Sequence, residues 1–88
     1  MGNETFFKFA IKAIVHHYNT YIAKYHNQYI TNKDVYVVWA CKTLQNNKAL
    51  LSTTVPDGRY YEITYNGDKH EAYLDTYVKE SNEKIYIE

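Results

Sequence analysis

The chain has 88 residues and 10.5 kDa, enough for one small domain and too little to give each of two domains a core. Its 45% hydrophobic and 23% charged residues exclude disorder and low-complexity classes. Ten basic side chains balance ten acidic ones, which removes the main electrostatic reason to expect a nucleic-acid partner.

Apolar residues recur at Phe7, Ala10, Ile11, Ile14, Tyr18, Tyr21, Ile22, Tyr25 and Tyr29. That three-and-four spacing predicts one amphipathic helix over about residues 4–28, with Lys8, Lys12, Asn19 and Lys24 toward the other side. Asn3 or Thr5 is the expected N-cap, and Asn27 with the polar run from Thr31 to Asp34 is the expected stop. No run approaches the length of a membrane span, because Lys8, Lys12, His16 and His17 interrupt the apolar residues. Met1–Thr5 carries no basic segment and Cys41 has no partner for a disulfide, so a reducing cytoplasm is the expected compartment.

After Asp34 the texture turns β-branched and aromatic, which predicts strands over about residues 35–45, 48–55, 59–65, 69–79 and 84–87. Residues 71–80 also fit a short helix. The expected turns are Asn46-Asn47, Pro56-Asp57-Gly58 and Asn66-Gly67. The fold class is α+β, one long N-terminal helix packed on one face of a four- to five-stranded antiparallel meander sheet.

Those turns assign every side chain to a face. Val38, Ala40, Leu44, Ala49, Leu51, Val55, Tyr61, Ile63, Tyr65, Ala72, Leu74 and Val78 fall on the helix side. Val37, Trp39, Thr43, Leu50, Thr54, Tyr60, Thr64, Tyr73 and Tyr77 fall on the other, where no second helix remains to cover them. The same register runs a row from Trp39 through Thr54 and Tyr60 to Tyr73. Trp39, Tyr60, Tyr73, Tyr77 and Leu50 are therefore the candidate binding residues, since aromatic anchors dominate interface energetics. The first strand is apolar on both faces at a sheet edge, which invites pairing with a second copy, so a homodimer is expected.

No catalytic or metal set stands out, and no cofactor is expected. His16 and His17 are adjacent and point about 100° apart on a helix, and His26 and His70 are remote from them. Cys41 is expected to face away from the helix and its histidines. Glu62 and Glu71 are expected opposite each other on the open face, where solvent or a lysine answers such pairs more often than catalysis does. The aromatic row is also the kind of platform that stacks single-stranded bases, yet Glu62, Glu71 and Asp75 frame it instead of lysine and arginine. Charge is polarised along the chain: residues 1–50 hold six lysines and two acids, and residues 51–88 hold four basic and eight acidic residues.

Residues 34–77 carry the phrases Val37-Val38-Trp39, the run from Cys41 to Thr53, Asp57-Gly58, Tyr60-Tyr61-Glu62, the run from Tyr65 to Lys69, and Tyr73-Leu74-Asp75. In these the chain resembles a family of small proteins encoded by phages and prophages of low-GC Gram-positive bacteria, a domain of unknown function. The resemblance carries over no catalytic or binding residue. It implies an accessory protein in a bacterial host cell, with a host or phage protein as the expected partner; the expectation that the chain is not an enzyme comes from its residues and not from the resemblance.

Overall fold

A computed structural model describes residues 1–88. The N-terminal helix is continuous but has three parts: α1 (Asn3–His17), a π-helical turn (Tyr18–Ile22) and α2 (Ala23–His26). Gly2 is the N-cap, its carbonyl accepting the Phe6 N–H at 2.9 Å, so neither Asn3 nor Thr5 supplies a side-chain cap. The expected stop at Asn27 is found, in the left-handed conformation at φ 52°.

The buried helix positions are Phe6, Ala10, Ile14, Tyr18 and Ile22, four residues apart, with Ala23 beside the last of them. On a helix of 3.6 residues per turn such a series drifts by about 40° per step, so an unbroken α-helix would carry it off the sheet. The π turn holds one extra residue and swings the stripe back toward the sheet just where the drift has accumulated. The predicted stripe is corrected accordingly: Phe7 and Ile11 are only partly buried, and Tyr21, Tyr25 and Tyr29 are exposed.

Beyond the helix, Ile30 is buried and clamped by the Asn19 carboxamide, which accepts from the Ile30 N–H at 2.9 Å and donates to its carbonyl at 3.0 Å. A short 3-10 turn (Asn32–Asp34) follows. The Asp34 carboxylate there accepts from the Thr31 N–H at 2.8 Å and the Thr54 hydroxyl at 3.1 Å. The Thr31 bond comes first among the causes that hold this carboxyl below its ordinary range.

The sheet is an antiparallel meander of β1 (Val35–Thr43), β2 (Asn46–Thr53), β3 (Arg59–Asn66) and β4 (Glu71–Val78), in chain order. Residues 71–78 are thus strand and not helix. The expected fifth strand over 84–87 is absent, and residues 79–88 run on without regular structure, exposed.

The first and third hairpins turn elsewhere than expected, and the second has a longer loop around the expected Pro56-Asp57-Gly58. The first turns at Leu44-Gln45, with Leu44 at φ 54°, and Asn46 and Asn47 belong to β2. The second loop takes residues 54–58, with Gly58 at φ 72°, and the third takes residues 67–70. Gly67 is required there by crowding, since a Cβ would overlap the Gln45 carbonyl oxygen of the first turn. A β-bulge between Val37 and Trp39 moves Val37 to the helix side, opposite Leu51, and brings Tyr36 to the open side, opposite Ser52.

The helix covers the middle of one sheet face. Ala49, Leu51, Val55, Tyr61 and Ile63 are buried against it, as predicted, and Tyr65 and Leu74 are partly buried. Val38, Ala40, Leu44, Ala72 and Val78 are exposed and drop out of the predicted core. One helix is too narrow to roof four strands.

Candidate interaction surface

The opposite sheet face is built by strand alternation, every second residue of each strand pointing to it. Three of its cross-strand rows carry the aromatic residues: Tyr36, Ser52, Tyr60 and Tyr77; Trp39, Leu50, Glu62 and Asp75; and Cys41, Lys48, Thr64 and Tyr73; Thr43, Asn46, Asn66 and Glu71 make a fourth. All five sequence-predicted residues, Trp39, Leu50, Tyr60, Tyr73 and Tyr77, lie on this one face. They are spread over the three rows, however, and do not form the single predicted one. Thr54 is not in the sheet at all, its hydroxyl being given to Asp34. Tyr36 is an aromatic member that the alternation missed, because the bulge that re-aims it leaves no trace in the local sequence.

The surface is amphipathic. Trp39 is 44%, Tyr77 51% and Tyr73 58% exposed, while Leu50 and Tyr60 are half-buried between their neighbours. Glu62 lies opposite Asp75 rather than Glu71, and the Lys48 ammonium answers it at 3.6 Å, so the expected Glu62–Glu71 pair does not form. Glu71 instead accepts the Tyr73 hydroxyl proton at 2.8 Å, and that bond with the Glu71 charge raises the Tyr73 pKa above its ordinary value. Cys41 is exposed on this face, as expected, 3.7 Å from the Thr43 hydroxyl.

A second polar cluster joins the end of the helix to the β2–β3 loop and was not anticipated. The Asp57 carboxylate takes the Arg59 guanidinium at 2.8 Å and His26 Nε2 at 3.2 Å through one oxygen, and the Arg59 N–H at 3.1 Å through the other. Burial pushes the Asp57 carboxyl up, but the Arg59 bonds, its charge and that of His26 outweigh it, and the group sits below its ordinary range. The Tyr18 and Tyr61 hydroxyls lie buried nearby with no partner, and burial, followed by the Asp57 charge, pushes Tyr61 up to about 12. Tyr61 therefore stays protonated at any physiological pH and is no nucleophile. The three surface cavities all lie elsewhere, so the cluster reads as a joint between layers. The only sequence signal for it was Asp57-Gly58, which a turn explains by itself.

No three of the histidine, cysteine and acidic side chains converge as metal ligands would. No helix is long and apolar enough to cross a membrane.

Fold and surface together define a two-layer α+β domain, with one sheet face roofed by a helix and the other an open aromatic surface. A family model described as a family of unknown function, DUF6275, matches residues 7–87, and the chain belongs to that family. No curated protein and no solved structure matches the chain.

Proposed function

We propose that the protein is a non-enzymatic interaction module that self-associates through its open sheet face and the adjoining β1 edge. The observation that carries the reading is the gathering of Trp39, Leu50, Tyr60, Tyr73 and Tyr77, joined by Tyr36, on a face that no element of the chain covers. Exposed aromatic residues clustered on a rigid sheet are the anchors from which interfaces draw most of their energy. The acids Glu62, Glu71 and Asp75 on the same face repel a phosphate backbone, which favours protein over nucleic acid as the partner. The resemblance to phage and prophage proteins supports an accessory role in a bacterial cytoplasm, where a host or phage protein is a further partner.

The test is solution mass by light scattering over a range of concentrations. A dimer is expected, and the double variant Tyr73→Ser, Tyr77→Ser is expected to weaken it while keeping the far-ultraviolet circular dichroism of the native chain, since both residues are more than half exposed. A native chain that stays monomeric at every concentration overturns the reading.

A further inference from the structure

Resting on that self-association, we infer that the C-terminal segment of one copy, residues 84–88, adds as a fifth strand to the outer edge of β1 in a second copy, and the second copy returns the contact. The segment reads Lys84-Ile85-Tyr86-Ile87-Glu88, a strand-forming alternation, yet Ile85, Tyr86 and Ile87 are 77%, 81% and 94% exposed. The family model runs through residue 87, so this segment belongs to the domain and is not a trailing linker.

Chain length works against β1 of the same molecule. The Lys79 N–H is held by the Gly58 carbonyl at 2.8 Å, which keeps that residue in line with β4. From Lys79 to Lys84 five fully extended steps reach about 18 Å. A strand outside β1 lies four strand spacings from β4, about 19 Å in a straight line. That line also runs through the loop of residues 54–58 and the turn at Asn32–Asp34, so the true path is longer.

Charge selects β1 over β4. The β4 edge carries Glu71 and Asp75, which repel the segment's neighbours Glu80 and Glu83 and its own Glu88. Beside the start of β1 lies Lys33, in the wall of an open cavity of about 560 Å³ with Val15, Ile30, Thr31 and Asn32. Strand alternation turns Ile85 and Ile87 to one side and Tyr86 to the other. The two isoleucines then meet Val15 and Ile30, with Lys33 in the same cavity wall to answer the segment's acidic charge, and Tyr86 joins Tyr36 and Trp39 on the open side. Reciprocal exchange closes a two-fold dimer and leaves the acidic β4 edges outward, where they discourage further addition.

The experiment compares the native chain with the full-length variant Ile85→Glu, Ile87→Glu, whose substituted residues are both exposed in the single chain. Light scattering is expected to show a dimer for the native chain and a dimer dissociation constant weaker by about 100-fold or more for the variant, with its circular dichroism unchanged. A synthetic peptide of residues 79–88, titrated into the variant, is expected to blue-shift emission of Trp39, the only tryptophan, and the same peptide with both isoleucines changed to glutamate is expected to leave it unmoved. A variant that dimerises as tightly as the native chain overturns the strand exchange alone and leaves self-association to the aromatic face. A native chain that never dimerises overturns both.

Discussion

Asn47 is 1% exposed, and both polar atoms of its carboxamide lack a hydrogen-bond partner. An unpaired buried polar group costs about 1–3 kcal/mol, so Asn47→Leu, close to it in size and apolar, is expected to raise stability by about 1 kcal/mol in urea unfolding. The titrating residues give a pH profile with a definite sign. His17 is lowered from 6.5 by burial first and by the neighbouring His16 charge second. The unfolded chain therefore takes up that proton first, and stability falls as pH drops below about 6.5. Asp57 and Asp34 are lowered from 3.8, so their contribution is complete above that value and lost as pH falls through their folded pKa values. Acid unfolding is expected in two stages, and His17→Phe should abolish the first and leave the second. A profile flat from pH 7 to 4 would refute the first stage. None of this was legible beforehand, because a lone histidine or asparagine in sequence does not declare what lies above it.

Among the elements, the helix and four strands were readable because periodicity is local, whereas the turns were not. Asn46-Asn47 has better turn chemistry than Leu44-Gln45, yet the latter turns, because only then do Asn46, Asn47 and Lys48 lie beside Asn66, Tyr65 and Thr64 of β3. The three hairpins slipped by even numbers of positions relative to expectation. Strand alternation has a period of two, so most residues kept their faces and only the row order changed; the odd step at the bulge alone swapped Val37 for Tyr36. The tyrosines at 21, 25 and 29 deceived the helical count for other reasons: Tyr21 lies within the π turn, which resets the phase ahead of Tyr25, and Tyr29 lies beyond the end of the helix. Deleting Thr20, an exposed residue of that turn, is expected to convert it to ordinary α-helix and leave a cooperatively folding protein. Deleting Lys12 rotates Ile14 and Tyr18 off the sheet and is expected to abolish cooperative thermal unfolding. Equal tolerance of both deletions would refute the phase-resetting role.

For the molecule as a whole, the shape is a slab of 44 × 36 × 20 Å, its thin dimension being one helix on one sheet. Only 16 of the 88 residues are buried, a thin core even for a chain this short, and the open face adds only Ser52 to it in the monomer. The proposed association would therefore add stability that the single chain lacks. The midpoint of thermal unfolding is expected to rise by several degrees between micromolar and millimolar chain concentration, because a dimer that only the folded state forms is favoured by mass action. A midpoint independent of concentration would assign all stability to the single chain.

The order of synthesis gives the helix a particular history. Its apolar stripe ends at Ile22, but the residues that roof it, Tyr61 and Ile63, come some forty positions later. At 5–20 residues per second the ribosome takes roughly 2–8 s to supply them. During that interval Phe6, Ile14 and Ile22 have only the first hairpin, with Val35, Ala49 and Leu51, to lie on. The nascent helix is thus the segment that a chaperone meets first and the native fold releases last.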